Sequence, residues 1–344
     1  MNENFVIRKV AVLGAGVMGA QIAAHLVNAN VETLLFDLPA KEGEPNGIVN
    51  KALEGLKKLD PAPVSSPAKI SFIEAANYEQ HLDKLRECDL VIEAIAERID
   101  WKSDLYRKIA PFLGAHAIFA TNTSGLSINK LAEAFPENLR HRFCGIHFFN
   151  PPRYMHLVEL IPCIGTDAPL LDQLETFLVS TLGKGVVRAK DTPNFIANRI
   201  GTLWIEAATN AATDLGLTIE EADAVAGKPM GFPSTGIFGL LDLVGIDLGP
   251  HVAASLLSTL PADDAYRAVH RDSPLVTKMI AEGFTGRKGK GGFYRMAAGA
   301  AGKKTKLAID LATGEYRPAV EISLEGKVAL VTGASRGIGR AISQ

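Results

Sequence analysis

Lys9-Val10-Ala11-Val12-Leu13-Gly14-Ala15-Gly16-Val17-Met18-Gly19 is the stretch that decides the fold of this chain. The apolar residues before Gly14 are typical of a buried strand, and the helix-period run Ala20–Val27 follows Gly19. In such a unit Gly14 makes the tight turn, Gly16 lets the backbone approach a pyrophosphate, and Gly19 lets the helix pack closely on the strand. In a chain with 32 glycines this spacing is weak evidence alone. Its position between a strand and a helix predicts a dinucleotide-binding turn, with Val17 and Met18 opening the helix.

Asp37 ends the second apolar run, Glu32-Thr33-Leu34-Leu35-Phe36. A carboxylate at this point can accept hydrogen bonds from the ribose hydroxyls of a dinucleotide. Leu38-Pro39 follows, where an arginine could have held a 2′-phosphate, and this favours NAD over NADP. The alternative is that Asp37 is only a turn residue.

Short apolar runs alternate with helix-period segments from Lys9 to about Lys190. This alternation predicts an α/β fold with a doubly wound, Rossmann-type parallel sheet, which we place at residues 1–191. The segment Asp37–Tyr78 is longer than a usual crossover, and prolines in 58–67 predict a loop between helical pieces. We expect an inserted lobe or lid there. The further predicted strands are Leu90–Ala94, Ala117–Ala120 and Gly185–Val187.

The pattern changes after Asp191-Thr192-Pro193 to long helix-period segments, among them Phe195–Leu215 and Ile219–Ala226. We therefore predict a second, all-helical domain at residues 192–296. Residues 297–304 are rich in alanine and glycine and are interpreted as a linker that begins a C-terminal tail, 297–344.

The tail contains a second glycine-rich stretch, Gly326–Gly339, which resembles the opening strand and turn of a short-chain dehydrogenase/reductase. Such a turn needs a following helix and a sheet to hold it, and five residues follow Gly339. A fusion scar, a truncated second domain or a cloning junction therefore fits better than a second nucleotide site.

Composition excludes several classes of function. The chain is 47% hydrophobic and 22% charged with a net charge of −2, and it has no block of lysine and arginine. We therefore expect no nucleic-acid partner and no anionic membrane, although a local basic patch for a phosphorylated ligand stays open. No basic leader and no long apolar stretch is present, so we expect no membrane segment. Cys88, Cys144 and Cys163 are interpreted as reduced core thiols without metal-ligand spacing, which predicts a cytoplasmic protein without a metal site.

His147 lies among apolar residues in Gly145-Ile146-His147-Phe148-Phe149-Asn150-Pro151, and a lone histidine in such a segment is more often a core residue. Glu159 lies close enough in sequence to fold back against it. The carboxylate could bond one ring nitrogen and fix the tautomer, while the other nitrogen takes a proton from a substrate hydroxyl. The alternatives are a structural His147 and a solvated Glu159 at a strand end.

Polar residues follow two other predicted strands. Glu97 ends Ala94-Ile95-Ala96-Glu97, and Asn122 and Ser124 lie in Thr121-Asn122-Thr123-Ser124. Carboxyl ends of parallel strands are where ligands bind in an open α/β sheet, so these residues are expected near cofactor and substrate. The alternative for Thr121–Ser124 is a polar turn that caps a helix at Leu126–Phe135.

Six motifs in order resemble the L-3-hydroxyacyl-CoA dehydrogenase family over about residues 7–296. They are Gly14–Gly19, Glu93–Glu97, Thr121–Ser124, His147–Pro151, Lys190–Arg199 and Gly286–Tyr294. The long insertion after Asp37 and the run Thr313–Pro318 are more similar to the N-terminal part of a bacterial multifunctional fatty-acid oxidation protein. Whether the chain is a fragment of such a protein stays open.

The resemblance implies oxidation of an L-3-hydroxyacyl-CoA by NAD in fatty-acid β-oxidation. It makes His147 the general base and Glu159 its orienting partner, with Ser124 and Asn198 binding the reacting oxygen. Asp37, Glu97, Lys102 and Asn122 match family positions near the NAD. The helical domain would close the active-site cleft and form a homodimer.

The sequence departs from the usual family pattern at Asn194, where glycine is common, and at Pro152-Arg153-Tyr154, where smaller apolar residues are common. Both lie near the expected acyl pocket, so the preferred acyl length stays open. Two other classes of function also stay open: a related dehydrogenase of a sugar acid or small hydroxy acid, and a noncatalytic, crystallin-like NAD(H) binder.

Overall fold

The computed structural model describes residues 6–298 and 304–322. The chain divides into two compact units, residues 1–198 and 199–344. The glycine-rich stretch of the tail, Gly326–Gly339, lies outside the described residues.

The first unit is built on one eight-stranded sheet in the order β3-β2-β1-β4-β5-β6-β7-β8. Its strands are β1 (Lys9–Leu13), β2 (Glu32–Asp37), β3 (Ile73–Asn77), β4 (Leu90–Glu93), β5 (Ile118–Thr121), β6 (Phe143–Phe148), β7 (Leu157–Pro162) and β8 (Gly185–Arg188). Its helices are α1 (Val17–Asn28), α2 (Gly47–Leu56), α3 (Ile99–Ile109), α4 (Ile128–Ala132) and α5 (Ala168–Ser180).

Alternate residues of β1 pack into two different cores. Val10 and Val12 lie in the core formed with α1, α2 and α5, whereas Ala11 and Leu13 lie in the core formed with α3 and α4. Successive side chains of a strand point to opposite faces of the sheet, so helices cover both faces. The predicted doubly wound, Rossmann-type fold is confirmed.

One pair of strands departs from the predicted parallel sheet. β6 and β7 are antiparallel, with His147 opposite Glu159 and Phe148 opposite Val158. The connection from Phe149 to His156 is too short for a helical crossover, so the chain has to turn back on itself.

The segment Asp37–Tyr78 is a crossover that connects β2 to the neighbouring strand β3. Val49 and Leu56 of α2 are buried, and β3 pairs in parallel with β2. The predicted loop at 58–67 lies between α2 and a short 3₁₀ turn at Pro67–Phe72. The sequence analysis did not predict β3. Because α2 and β3 are part of the main sheet unit, the segment does not form the expected separate lobe.

The second unit contains helices and a small sheet. Its helices are α6 (Ala197–Asp214, whose first two residues belong to the first unit), α7 (Ile219–Val225), α8 (Gly236–Val244), α9 (Leu248–Thr259), α10 (Ala265–Val269) and α11 (Pro274–Ala281). The antiparallel strands β9 (Tyr294–Ala298), β10 (Lys304–Ile309) and β11 (Tyr316–Pro318) form the sheet in the order β11-β10-β9.

The interpretation of 297–304 as a linker is wrong at its two ends. Ala297 pairs with Thr305 and Ala298 with Lys304, in the ladder between β9 and β10. Ala308 and Ile309 of β10 are buried in the core of the second unit, which gives this hairpin a face to pack on.

Among the described helices, none is long and apolar enough to cross a membrane alone. The bent pair α8 and α9 meets the criterion of length and composition only when the two helices are joined across a 93° break.

Candidate active site

The glycine turn between β1 and α1 has the geometry expected from its sequence. Gly14 has φ +105°, and a Cβ there would lie 2.8 Å from the carbonyl oxygen of Ala94. A Cβ on Gly19 would lie 1.8 Å from the carbonyl oxygen of Gly14, so strand and helix meet at a distance that only glycine permits. A Cβ on Gly16 would meet no described atom within 4 Å, so the backbone at Gly16 borders open space.

The N-terminus of α1 is suited to an anionic ligand. The first helical residue, Val17, is 70% exposed, and among the described residues no side chain caps the helix at Gly16. The first backbone N–H groups of a helix lack partners inside it and carry the positive end of its dipole. The open turn therefore fits the pyrophosphate of a dinucleotide.

Asp37 lies at the end of β2 beside this turn. Its carboxylate accepts hydrogen bonds from the N–H of Ala15 at 2.6 Å and of Leu38 at 2.7 Å. Asp37 thus holds the turn through these two hydrogen bonds, and its binding of a ribose stays a prediction.

His147 and Glu159 face each other across the antiparallel ladder of β6 and β7. The distance between His147 Nδ1 and Glu159 Oε2 is 2.7 Å, and the two residues are 3% and 0% exposed. Glu159 is therefore not a solvated strand end, and the sequence-predicted pairing is present in the structure.

The second oxygen of Glu159 accepts backbone N–H groups from Ile196 at 2.9 Å and Ala197 at 2.8 Å. Burial alone would raise the pKa of this carboxyl, but the hydrogen bonds from His147 and the two backbone groups outweigh it. The pKa of Glu159 therefore lies below its usual value. A carboxylate so held favours a proton on Nδ1 of the neighbouring ring.

The rest of the imidazole lies against aromatic rings. The ring centroid of His147 is 4.3 Å from that of Phe149 and 5.8 Å from that of Phe195. In the described part of the chain, only Nδ1 of this ring has a hydrogen-bond partner. Nε2 is left as the nitrogen that can exchange a proton with a ligand.

Ser124 and Asn198 are brought together, as the resemblance implied. Asn198 Nδ2 donates to the backbone oxygen of Ser124 at 3.4 Å, a long hydrogen bond. Glu97 Oε1 accepts from the N–H groups of Ser124 at 2.8 Å and Gly125 at 3.2 Å, and also from the hydroxyl of Thr123. The exposed Ser124 is therefore held through its backbone, which leaves its hydroxyl for a ligand.

The interpretation of Thr121–Ser124 as a helix cap is not supported. The N-cap of α4 is Ser127, whose hydroxyl accepts from the N–H of Lys130 at 3.3 Å. Asp191 supports the same helix end, because it accepts the N–H groups of Ile128 at 2.8 Å and Asn129 at 2.9 Å. The sequence interpretation gave Asp191 no role.

Asn122 connects two strand ends. Its side-chain oxygen accepts the N–H of Phe148 at 2.9 Å, and its own N–H donates to the backbone oxygen of Glu93 at 2.7 Å. Asn122 is 8% exposed, so it lies beneath the strand ends next to His147.

Lys102 is buried, and its ammonium group faces two carboxylates of the protein. Its side chain is 1% exposed, and Nζ lies 2.6 Å from Glu93 Oε1 and 3.6 Å from Glu97 Oε2. Glu93 is a residue whose role the sequence interpretation missed, although an acidic residue that ends the apolar run Leu90-Val91-Ile92 is an unusual signal.

Among the residues that the structure describes, no three or more histidine, cysteine, aspartate or glutamate side chains form a group that could hold a metal ion. Cys88, Cys144 and Cys163 are free and buried. Burial raises the pKa of Cys88 to about 12, which suits a core thiol rather than a nucleophile.

The Rossmann-type sheet, the open glycine turn and the paired histidine define a class of protein, the NAD-dependent dehydrogenases. Two family models match this chain and narrow the class. Residues 9–192 match the 3-hydroxyacyl-CoA dehydrogenase NAD-binding domain, and residues 195–296 match the C-terminal domain of the same family. The chain belongs to the 3-hydroxyacyl-CoA dehydrogenase family, which consists of NAD-dependent oxidoreductases, and the predicted family and cofactor are confirmed.

Individual relatives agree with this assignment. A Rickettsia felis protein described as a fatty acid oxidation complex trifunctional enzyme is 43% identical over 319 residues, which cover 92% of this chain and 44% of that protein. A Deinococcus radiodurans protein described as a 3-hydroxyacyl-CoA dehydrogenase is 39% identical, with 84% of this chain and 83% of the relative covered. The crystal structure of (S)-3-hydroxybutyryl-CoA dehydrogenase from Ralstonia eutropha has a TM-score of 0.68 and 31% identity, covering 82% of this chain and 96% of that one. The chain thus spans less than half the length of the Rickettsia relative.

Proposed function

We propose that this chain oxidises L-3-hydroxyacyl-CoA thioesters to 3-ketoacyl-CoA with NAD, reversibly, as a step of fatty-acid β-oxidation. The observation that carries the proposal is the pair His147–Glu159, with Nδ1 and Oε2 at 2.7 Å, in the same unit as the open glycine turn. The name of the Deinococcus relative supports the reaction, and that of the Rickettsia relative supports the pathway.

In this mechanism His147 acts as the general base. Glu159 holds the proton on Nδ1, so Nε2 presents a lone pair to the 3-hydroxyl of the substrate and takes its proton. The charge that forms on the imidazole is then stabilised by the adjacent carboxylate. The rings of Phe149 and Phe195 exclude water from one side of the imidazole.

Ser124 and Asn198 are the groups proposed to bind the reacting oxygen. Both carry a donor that can stabilise negative charge as the C–O bond changes order. Their contact through the backbone of Ser124 holds the two donors close to each other.

NAD, when bound, accepts the hydride from the carbon that carries the hydroxyl. We propose that Gly16 and the backbone N–H groups of Val17 and Met18 would hold its pyrophosphate, while Gly14 and Gly19 shape the turn that brings them there. Asp37 binds the adenosine ribose, and Asn122 and Glu97 lie at the nicotinamide end. Lys102 belongs to the same region, but its burial places it behind Glu97.

The proposal includes the cytoplasmic location and the homodimer predicted from the sequence, and a longer parent protein that supplies further domains. The three free, buried cysteines support a reducing compartment. The 44% coverage of the Rickettsia relative supports further domains.

The test is oxidation of NADH by the full chain, with acetoacetyl-CoA compared against acetoacetate and other free keto acids. We expect turnover with the CoA thioester only, and a series of longer ketoacyl-CoA esters gives the preferred acyl length. Turnover with free acids alone assigns the chain to small hydroxy acids, and NADH binding without turnover on any substrate assigns it to the noncatalytic binders.

Replacement of the base tests the mechanism. His147→Ala should lower kcat by about two to four orders of magnitude, the usual effect of losing an acid–base group, while NADH binding stays near that of the parent. The dissociation constant for NADH, measured by its fluorescence, serves as the control. Unchanged kcat would remove His147 from the mechanism.

A further inference from the structure

Glu93, the last residue of β4, is a fully buried carboxylate with four hydrogen-bond donors. Oε1 accepts from Lys102 Nζ at 2.6 Å and from the N–H of Ile95 at 2.7 Å. Oε2 accepts from the hydroxyl of Tyr106 at 2.6 Å and of Thr121 at 2.8 Å. The donors come from α3, from β5 and from the segment after β4, so one side chain ties these three elements together.

The charges in this cluster compensate each other. Glu93 is 0% exposed and the side chain of Lys102 is 1% exposed, and a buried charge is tolerated only when it is paired and hydrogen-bonded. Lys102 Nζ also lies 3.6 Å from Glu97 Oε2, so the ammonium group lies between a buried and a half-exposed carboxylate.

Two routes lead from Glu93 to Ser124. One runs through Lys102 to Glu97, whose other oxygen accepts the N–H groups of Ser124 and Gly125. The other runs through the hydroxyl of Thr121, which donates to Glu93 and accepts the N–H of Thr123 at 3.3 Å. Both routes end on the backbone of the segment that carries Ser124.

We propose that Glu93 is a positioning residue of the active site, which acts through Lys102 and Glu97 to fix the backbone at Ser124. The inference rests on the proposed function, because it treats Ser124 as a donor to the reacting oxygen. Lys102 then serves the reaction from behind Glu97, without touching the cofactor.

The test compares Glu93→Gln and Lys102→Met with Lys9→Met in the full chain. Lys9 is a matched control, since its Nζ also lies between two carboxylates, Glu32 and Glu87, each at 2.7 Å. Lys9 is the first residue of β1, and the site lies at the carboxyl ends of the parallel strands, which is the other end of β1. For each variant, kcat with acetoacetyl-CoA at saturating NADH, the dissociation constant for NADH and the melting temperature are measured.

We expect kcat to fall about 10- to 100-fold in Glu93→Gln and in Lys102→Met, the effect of misplacing a reacting group by about an ångström. NADH binding should change less than about threefold in these variants, and kcat of Lys9→Met should stay within about threefold of the parent. If Glu93 and Lys102 had only a structural role like that of Lys9, all three variants would have lower melting temperatures, and the folded proteins would keep the kcat of the parent.

The double variant Glu93→Gln/Lys102→Met removes both buried charges together and leaves only the half-exposed Glu97 without its cation, so it decides the question where a single variant does not fold. Its kcat should fall as in the single variants and no further, because all three interrupt the route through Lys102. A kcat within about threefold of the parent in the folded variants overturns the inference. Failure of the parent chain to turn over any ketoacyl-CoA is a different result, since it refutes the proposed function itself.

Discussion

At the scale of single residues, position 159 requires a side chain with two hydrogen-bond acceptors and no donor. One oxygen faces Nδ1 of His147, and the other faces the N–H groups of Ile196 and Ala197. A glutamine in this place has one oxygen and one NH₂ group. In either orientation of the amide, the NH₂ group would oppose a donor or force the proton of His147 from Nδ1 to Nε2.

We therefore expect Glu159→Gln to lower kcat by about two to four orders of magnitude and to displace the pH–rate profile. The loss has two causes: the tautomer with a free Nε2 is no longer favoured, and the charge beside the imidazole is removed. Steady-state rates across pH, measured with acetoacetyl-CoA and NADH, test this.

The control is the double variant His147→Ala/Glu159→Gln, whose kcat should equal that of His147→Ala alone because the carboxylate acts through the ring. A pH–rate profile of Glu159→Gln that coincides with that of the parent would refute the orienting role.

The pairing of His147 and Glu159 could be predicted from the sequence, because both residues lie in short apolar runs that are close along the chain. The role of Glu93 could not, since its partners Lys102, Tyr106 and Thr121 come from other elements and meet only in the folded sheet. The structure also accounts for Asn194, which has φ +57°. The left-handed region favours glycine and tolerates asparagine, which is consistent with a family position where glycine is common.

At the scale of elements, the glycine turn separates folding from cofactor binding. A side chain on Gly19 would collide with the backbone of Gly14, whereas one on Gly16 would project into open space among the described residues. Gly16 has φ −70°, a conformation that alanine adopts without strain.

We expect Gly16→Ala to fold with a free energy of unfolding within about 1 kcal/mol of the parent and to bind NADH about 10- to 100-fold more weakly. The methyl group would occupy the space of the pyrophosphate and prevent its charge-assisted hydrogen bonds. Gly19→Ala should instead lose about 3 kcal/mol of stability or more, because backbone must move to admit the Cβ. Urea unfolding and NADH fluorescence titration measure the two effects. Equal stability of the two variants, or unchanged NADH binding in Gly16→Ala, would contradict this division of roles.

Strands with continuous apolar runs were predictable, and those with mixed patterns were not. β1, β2, β4 and β5 are apolar on both faces, as parallel strands between two helical layers must be. β10 begins with three exposed polar residues, Lys304, Thr305 and Lys306, and the alanines and glycines before it are typical of a linker. The strands β9 and β10 form nevertheless, because Ala308 and Ile309 of β10 pack into the core of the second unit.

At the scale of the whole molecule, the two units have separate cores, and the second unit contains a buried carboxyl with a raised pKa. In the second unit Asp242 is 5% exposed and accepts the N–H groups of Phe293 and Tyr294, each at 2.8 Å. Burial raises the pKa of Asp242 to about 6, and nearby Asp223 acts in the same direction. The two backbone hydrogen bonds and Arg287 oppose this shift without cancelling it.

We expect Asp242 to make the second unit less stable as pH rises from about 4 to about 6. Below about pH 4 the carboxyl is protonated in both the folded and the unfolded chain. Between the two values the unfolded chain releases the proton first, so rising pH favours unfolding, and above about pH 6 the penalty is complete.

Asp242→Asn cannot ionise, so the stability of the parent relative to this variant should decrease over the same window. Urea unfolding in a Trp101→Phe background, followed by the fluorescence of the second tryptophan, Trp204, which stacks on Phe232 at 4.2 Å, measures the difference. The exposed Asp263→Asn is the control and should leave the slope of the parent unchanged; a parent-to-variant difference that stays constant or grows with pH would show that folding does not raise the pKa of Asp242.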